Sequence, residues 1–287
     1  MLSKLKKSFI SLKKKLKHGN VQHKPLIDSN DLVFLKKTIK FCEVSTYGRF
    51  STKFEKQMGK YLKTKNIIST VNGTTALQSI LSYLKVDSSQ EVLVQSFTFV
   101  ATVNPIIHLG GDPHFIDISK DSLSVDSEKL EEYLSSKKFY FKNKKLINRS
   151  TKKVIKILLI THSYGYPADI EKINKVAKKF NLILVEDAAE TLGSKYKGKN
   201  LGTFGDFSFL SFNGNKTITT GGGGLIITKK SKHIKEIKHL ITTSKIIKKK
   251  DIVYDQAGFN LRMPSLNAAL GLSQLKKLKK ILKLKNN

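Results

Sequence analysis

Short apolar runs alternate with longer stretches of helical periodicity along most of this chain, from about residue 65 to residue 240. Apolar runs of four or five residues favour buried strands, and apolar positions spaced by three and four favour amphipathic helices. The predicted strands are 67–70, 91–95, 114–117, 157–161, 182–186, 207–211 and 224–228, and the predicted helices are 74–84, 100–108, 170–179 and 231–240. This alternation implies an α/β fold, in which helices cover both faces of a mixed, mostly parallel sheet.

Two segments depart from this alternation. Residues 137–153 are rich in lysine and mostly polar, so we expect an exposed insertion with little chemistry. Residues 264–284 carry an apolar stripe at helical spacing, which predicts a further helix near the C-terminus.

The net charge of +31 raises the question of whether the chain binds nucleic acid. Of its 53 lysines and arginines only three are arginine (Arg49, Arg149 and Arg262), whereas recognition of phosphates and bases favours the guanidinium group. The sequence also lacks the RNP, zinc-finger and helix-turn-helix patterns. We therefore interpret the lysines as a compositional bias on solvated faces and expect no nucleic-acid partner.

Cysteine usage and hydropathy bear on the compartment. Cys42 is the single cysteine, which excludes an intrachain disulfide and a cysteine-based metal cluster and fits a reducing environment. No apolar stretch approaches the ~18 residues that a transmembrane helix needs. We expect a cytoplasmic protein.

The N-terminal residues 1–24 form a basic amphipathic segment. Its apolar residues recur at helical spacing between lysines (Leu2, Leu5, Phe9, Leu12 and Leu16). Such a helix can lie on an acidic membrane. We favour the alternative, in which the apolar stripe packs on the rest of the protein or on a partner subunit.

Asn72, Gly73, Thr74 and Thr75 join a predicted strand to a predicted helix. Backbone N–H groups at a helix start, together with hydroxyls, can hold a phosphate. The motif also fits a helix capped by a threonine, and on its own it favours that second interpretation.

Carboxylates directly follow the predicted strand 182–186. Asp187 and Glu190 would lie at the carboxyl end of the sheet, where α/β proteins bind ligands. A buried aspartate needs a cation or a strong donor, and a protonated pyridine nitrogen would serve. A capping role in the next turn is an equal alternative.

Lys216 differs in its surroundings from the other lysines of the chain. Two phenylalanines, small polar residues and the glycines 221–224 flank it, which is unlike a solvated surface. A pocket can lower the pKa of an amine and make it a nucleophile for carbonyl groups. Phe99 follows another predicted strand and could stack on a cofactor ring, although strand-end aromatics more often belong to the core.

In chain order, these motifs resemble the DegT/DnrJ/EryC1/StrS sugar aminotransferases, which bind pyridoxal 5'-phosphate and have the aspartate-aminotransferase fold (fold type I). The resemblance covers about residues 43–280. The matching segments are VSTYGRF (44–50), NGTTAL (72–77), SFTFVATVNPI (96–106), DPHFIDI (112–118), THSYGYPADI (161–170), VEDAAETLGSKYKGKNLGTFGD (185–206), LSFNGNKTITTGGGG (210–224) and GFNLRMPSLNAALGLSQL (258–275). Within the family, VSTYGRF and the FNGNK…TTGGGG run are most similar to the LegC-type branch.

The resemblance implies a role for each matching cofactor residue. Lys216 would bind the cofactor covalently and shuttle a proton, and Asp187 would pair with the ring nitrogen. The remaining cofactor-binding residues would be Glu190 near the ring hydroxyl, Phe99 on the ring face, and Thr74, Thr75 and Ser211 at the phosphate. Glu190 departs from the many relatives that have Gln or His there.

The resemblance also implies a homodimer with a shared site and a reaction. Asn260 would reach the phosphate of the neighbouring subunit's cofactor, and Ser45, Thr46 and Tyr47 would lie by the nucleotide sugar. Glutamate would donate an amino group to a 4-keto-6-deoxy nucleotide sugar. Because the catalytic position is lysine and not histidine, the resemblance favours transamination over dehydration.

One departure concerns the C-terminus. The relatives continue into a smaller domain, of which this sequence has only the beginning. We therefore predict an N-terminal segment at 1–24, a large cofactor-binding domain at 25–240 and the incomplete start of a small domain at 241–287. A truncated, non-catalytic homologue that acts as a regulator or dimerisation partner is the alternative function.

Overall fold

A computed structural model describes residues 24–248 and 251–285 of the chain. The amphipathic helix predicted from Leu2 to Leu16 lies outside these residues.

The described residues form helices and strands that follow the predicted alternation closely. The helices are α1 Ser29–Lys40, α2 Arg49–Leu62, α3 Gly73–Tyr83, α4 Val100–His108, α5 Ser127–Ser135, α6 Ile170–Lys179, α7 Ser231–Leu240, α8 Ser265–Lys276 and α9 Leu278–Lys285, with a 3₁₀ turn at Ser163–Gly165. The strands are β1 Ile67–Thr70, β2 Gln90–Gln95, β3 Asp112–Ile116, β4 Phe139–Lys142, β5 Lys145–Asn148, β6 Val154–Thr161, β7 Ile183–Asp187, β8 Lys195–Tyr196, β9 Lys199–Asn200, β10 Phe207–Ser211, β11 Gly224–Thr228, β12 Lys245–Lys248 and β13 Asp251–Tyr254.

The central sheet is mixed and mostly parallel. Its strand order is β1-β11-β10-β7-β6-β2-β3, and the hairpin of β4 and β5 is attached to β6. The strands from β10 to β3 run parallel to their neighbours, whereas β11 is antiparallel to both β10 and β1. The predicted α/β fold is therefore confirmed.

Helices bury both faces of this sheet because successive strand residues point to opposite sides. In β2, Val92 and Val94 pack under α3, α4 and α7, while Leu93 packs on the other face with α5 and α6. Further along that second face, α2, α8 and α9 cover β10 and β11 through residues such as Phe54 and Leu272. The double coverage explains why the strands read as continuous apolar runs.

The segment 137–153 is not the exposed excursion that its lysines suggested. It forms the β4–β5 hairpin, whose second strand pairs antiparallel with β6. Phe139 and Leu146 are buried in the core, and the side chain of Asn148 donates to the buried carboxylate of Glu91. The prediction was wrong because only a few apolar residues mark the buried face of the hairpin. The many lysines around them hide the apolar–polar alternation that indicates a strand.

The apolar stripe at 264–284 is two helices, α8 and α9, with Lys277 as the C-cap of α8. The ammonium group of Lys277 lies 2.7 Å from the carboxylate of the buried Asp31 and 3.2 Å from that of Asp28. Asp28 also caps α1 by accepting from the N–H of Asn30. This cluster of charges fixes α1 against the C-terminal helices. The predicted domain boundary at residue 240 stays a prediction.

Burial of the hairpin can be tested by substitution. We expect Leu146→Ala to lower the free energy of unfolding by about 2–5 kcal/mol, because it removes a buried side chain and leaves a cavity. Lys142→Ala, on the exposed side of the same hairpin, should change it by less than about 0.5 kcal/mol. Urea unfolding of both variants measures the difference, and equal small effects would mean that the hairpin is peripheral.

Candidate active site

The carboxyl ends of three adjacent parallel strands meet at one edge of the sheet. Thr161 on β6, Asp187 on β7 and Phe209 on β10 are register neighbours there. The starts of α3 and α4 lie at the same edge, and together these elements line a cavity of about 520 Å³. This is the position at which parallel α/β sheets bind ligands.

A tightly closed loop carries Lys216 into the cavity. At the base of the loop the N–H of Phe212 donates to the carbonyl of Gly223, and its carbonyl accepts from the N–H of Thr220. Phe212 is buried and packs edge-on against Phe54, with 5.4 Å between the ring centroids. The base of the loop is thus part of the core, which fixes the point from which Lys216 extends.

Close packing explains part of the glycine run behind this loop. A side chain at Gly224 would collide with the carbonyl oxygen of Asn72, and one at Gly73 would come within 2.9 Å of Cβ of Ser211. The absence of side chains therefore allows the lysine loop, the end of β10 and the start of α3 to meet.

Lys216 forms an ion pair with Glu190 in the cavity. Nζ of Lys216 lies 2.9 Å from Oε1 of Glu190, and the lysine side chain is only 16% exposed. Both residues line the cavity, so the structure places the predicted nucleophile beside a carboxylate.

Asp187 is a buried carboxylate with two donors. Oδ2 accepts from the hydroxyl of Thr102 at 2.6 Å, and Oδ1 accepts from the N–H of Ala189 at 3.0 Å. Burial raises the pKa of Asp187 above its ordinary value, although these two hydrogen bonds and the charge of Lys216 oppose that effect. The residue is therefore poised to gain from a cationic partner in the cavity.

The preceding residue, Glu186, points away from the cavity and is fully buried. Its carboxylate accepts hydrogen bonds from the N–H groups of Gly202, Phe204 and Gly205. His162 lies 2.9 Å away through Nε2. Because Nδ1 of this histidine accepts from the N–H of Ala168 at 3.1 Å, the ring proton is on Nε2 and is donated to Glu186.

These donors decide the charge of Glu186. Burial would raise the pKa of this carboxyl, but the hydrogen bonds from His162, Gly205 and Phe204 together hold it below its ordinary value. His162 is thereby committed to a structural contact with Glu186 and Ala168.

The start of α3, which we predicted to hold a phosphate, lies in the wall of the cavity, and its helix cap differs from the prediction. The N-cap is Asn72, whose side chain accepts from the N–H of Thr75, so the helix is not capped by a threonine. Gly73 and Thr74 line the cavity together with Ser211. Thr75 is not among the lining residues, and its hydroxyl donates to the carbonyl of Asn72. Thr75 therefore helps to close the helix start, and its predicted contact with a phosphate stays a prediction.

Phe99 lies at the mouth of the same cavity. It is the residue before α4, and its ring is 74% exposed. The alternative prediction, that Phe99 belongs to the hydrophobic core, is therefore wrong. Phe97 and Tyr164, whose ring centroids are 6.1 Å apart, widen the aromatic rim.

The residues predicted to bind substrate or the neighbouring cofactor lie elsewhere. None of Ser45, Thr46, Tyr47 and Asn260 is among the residues that line this cavity in the described part of the chain. Ser45 and Tyr47 contact Ser265 at the start of α8, and the guanidinium of Arg262 stacks on the ring of Tyr47. Asn260 is exposed and pairs with Thr242 through a backbone bridge.

Sequence reasoning missed three hydroxyls that lie behind Asp187. Thr98, Thr102 and Thr161 are joined by side-chain hydrogen bonds of 2.8–2.9 Å. Thr98 and Thr161 lie at the ends of predicted strands, within the segments 96–106 and 161–170, and their position there indicates a place in the cavity wall. Their mutual contact was not readable, because the residues are up to 63 positions apart.

The described residues contain neither a membrane-spanning helix nor a metal-binding cluster. No helix in this part of the chain is both long and apolar enough to cross a membrane. No cluster of three or more histidine, cysteine, aspartate or glutamate residues with the geometry of a metal site occurs there either.

A sequence model of the DegT/DnrJ/EryC1/StrS aminotransferase family matches residues 26–287. The chain belongs to this family. The prediction from the sequence motifs is thereby confirmed at the level of the family, and the assignment to the LegC-type branch stays a prediction.

Curated relatives in the family are named as sugar-modifying enzymes. The chain is 35% identical over 265 residues to a GDP-perosamine synthase from Vibrio cholerae, covering 92% of this chain and 67% of that protein. It is 33% identical over 255 residues to a UDP-4-amino-4,6-dideoxy-N-acetyl-beta-L-altrosamine transaminase from Campylobacter jejuni, covering 88% of this chain and 63% of that protein. The chain thus spans about two thirds of the length of these relatives.

Solved structures show the same fold. A putative sugar aminotransferase from Streptococcus pneumoniae, in a form described as PMP-bound, superposes with a TM-score of 0.80 at 23% identity over 92% of this chain and 69% of that one. Helicobacter pylori PseC, an aminotransferase of pseudaminic acid biosynthesis, superposes with a TM-score of 0.79 at 25% identity over 91% of this chain and 66% of that one. The sheet and helices of this chain are therefore those of the family.

The charge of Glu186 gives a pH-dependent prediction. A carboxyl with a lowered folded-state pKa contributes stability above its unfolded pKa, near 4.3, and loses it as the pH falls through the folded value. We expect Glu186→Gln to lower the free energy of unfolding by about 2 kcal/mol at neutral pH. The difference from the unsubstituted protein should shrink below about pH 4.

Urea unfolding between pH 3 and pH 8 measures this difference. Glu171→Gln is the matched control, because Glu171 is a surface residue paired with the exposed Lys197. It should change stability by less than about 1 kcal/mol at all pH values. An equal loss for Glu186→Gln at low and neutral pH would contradict an ionised Glu186.

Proposed function

We propose that this protein is a pyridoxal-phosphate-dependent aminotransferase that transfers an amino group from glutamate to a 4-keto-6-deoxy nucleotide sugar, with a UDP-linked sugar favoured. The observation that carries the proposal is the meeting of Lys216, Asp187 and the start of α3 in one cavity. The names of the relatives include both GDP-linked and UDP-linked sugars. The preference for a UDP-linked sugar is therefore proposed from the branch resemblance alone. We place the reaction in the cytoplasm and in the biosynthesis of surface glycans.

The residues of the cavity fit the cofactor group by group. A helix start with Gly73, Thr74 and the hydroxyl of Ser211 suits a phosphate. Asp187, buried and without an ion-pair partner among the described residues, suits a protonated ring nitrogen. The exposed ring of Phe99 suits the face of a heteroaromatic ring.

The chemistry assigns work to three side chains. When bound, pyridoxal phosphate supplies an electron sink for the carbon that loses a proton. Lys216 would hold the cofactor through its aldehyde carbon, and once the incoming amino group had displaced it, its free amine would move a proton to and from the reacting carbon as general base and acid. Asp187 keeps the proton on the ring nitrogen, which maintains the sink. Glu190, 2.9 Å from Nζ of Lys216, orients the amine.

We further propose that the enzyme is a homodimer with shared sites. Asn260 lies outside the cavity of its own chain, as expected of a residue that serves the neighbouring subunit. Exposed aromatic and aliphatic side chains near the cavity mouth, among them Phe99, Val100 and Tyr164, favour a covered surface there.

The role of Lys216 can be tested by spectroscopy. The protein reconstituted with pyridoxal phosphate should show the absorbance of covalently bound cofactor, and glutamate should convert it to the amine form. Lys216→Ala should abolish that absorbance and lower the rate of amino transfer by at least about a thousandfold. Lys195→Ala, a charge change at an exposed position, is the control and should leave both unchanged.

Two outcomes would count against the proposal. Covalent cofactor absorbance in Lys216→Ala would show that another lysine binds it. Bound cofactor that does not respond to glutamate in the unsubstituted protein would favour the non-catalytic homologue.

A shared site predicts complementation between two inactive variants. Lys216→Ala and Asn260→Ala should each be impaired as homodimers. In a mixed dimer both substitutions fall into one site and leave the other intact, so random mixing should restore about a quarter of the unsubstituted activity. Amino-transfer assays of the mixture measure this. No recovery, together with confirmed subunit exchange, would show that Asn260 serves its own chain's site.

A further inference from the structure

Thr102 makes the shortest polar contact of the Asp187 carboxylate. Its hydroxyl oxygen lies 2.6 Å from Oδ2 of Asp187, and the residue is only 1% exposed. Distances of 2.5–2.7 Å are typical of a hydroxyl that donates to an ionised carboxylate. The family resemblance assigns no role to this threonine.

The hydroxyls behind Thr102 all donate in the same direction. Thr102 gives its single hydroxyl proton to Asp187 and accepts from the hydroxyl of Thr98 at 2.9 Å. Since the proton of Thr98 is used in this way, Thr161 donates to Thr98 at 2.8 Å. Aligned hydrogen bonds polarise one another, so each donor strengthens the next.

No positive group forms an ion pair with Asp187 within the described residues, although the nearby charge of Lys216 also favours its ionised form. The ammonium of Lys216 contacts Glu190, and His162 contacts Glu186. None of the salt bridges in the described part of the chain includes Asp187, which is held by Thr102 and the N–H of Ala189. Uncharged donors stabilise the ionised carboxylate but do not neutralise it. Its negative charge can therefore still pair with a cation in the cavity.

We propose that Thr102 is a positioning residue that orients the Asp187 carboxylate and keeps it ionised, and that Thr98 and Thr161 support it as a hydroxyl relay. The consequence for catalysis rests on the proposed aminotransferase function, because it requires a ring nitrogen that Asp187 keeps protonated. The coupling between Thr102 and Asp187 does not rest on that function and can be measured without cofactor.

The first test is the titration of Asp187 in the protein without cofactor, followed by carbon-13 NMR of the carboxyl group. Thr102→Val keeps the shape of the side chain and removes the donor, so it should raise the pKa of Asp187 by about one pH unit or more. Thr102→Ser keeps the donor and should leave it within about 0.3 pH units. Thr98→Val, one step further back, should raise it by less than Thr102→Val.

Thr191→Val is the matched control. Thr191 is also 1% exposed and close in sequence to Asp187, but its hydroxyl donates to the carbonyl of Ala188. This variant should destabilise the protein without changing the Asp187 titration. An unchanged Asp187 pKa in Thr102→Val, or an equal change in Thr191→Val, would overturn the proposal. If Thr102→Val did not fold, the pKa of Asp187 would be compared between Thr98→Val and Thr191→Val. A rise in Thr98→Val alone would support the proposal, and no difference between the two variants would overturn it.

The second test uses the loaded enzyme. In Thr102→Val the acid limb of the pH–rate profile should move to higher pH, and kcat should fall with little change in KM. Thr102→Ser should restore both the acid limb and kcat. An acid limb that stayed in place would overturn the catalytic part of the proposal. If the unsubstituted protein neither bound the cofactor nor transferred an amino group, the proposed function would fall, while the NMR result would still decide the relay.

Discussion

The buried carboxylate of Glu186 joins the segments that build the candidate site. It accepts three backbone N–H groups from the turn at 202–205 and the imidazole N–H of His162 beyond β6. A charge with no exposed surface would be too costly to keep unless such donors surrounded it. Because the donors come from two separate segments, the interaction fixes the ends of β6 and β7 and the approach to β10 together.

The neighbouring carboxylate, Asp187, shows the opposite arrangement. Successive strand residues point to opposite faces, so Glu186 is directed into the protein and Asp187 towards the cavity. Glu186 has donors enough to hold its pKa low, whereas burial leaves that of Asp187 raised. One carboxylate is therefore structural and satisfied, and the other retains a need for a cation, which is the property that a cofactor-binding carboxylate requires.

The sequence predicted most of the fold because the strands and helices have strong local periodicity. Strands β10 and β11 and helices α4, α6 and α7 have the predicted bounds, since each apolar run ends at a clear polar or glycine boundary. The β4–β5 hairpin was missed because its buried residues, such as Phe139 and Leu146, are isolated among lysines. The break between α8 and α9 was missed because the apolar stripe continues across Lys277.

For the candidate site, the sequence by itself determined which residues could carry chemistry. Lys216, Asp187, Glu190, Phe99, Thr74 and Ser211 could be named because each follows a strand end or begins a helix, and parallel strand ends must meet. Only the tertiary structure decided which groups contact one another. The contact of Thr102 with Asp187 spans 85 positions, and that of His162 with Glu186 fixes an imidazole proton. Such pairings depend on the packing of distant segments, which leaves no periodic signal in the local sequence.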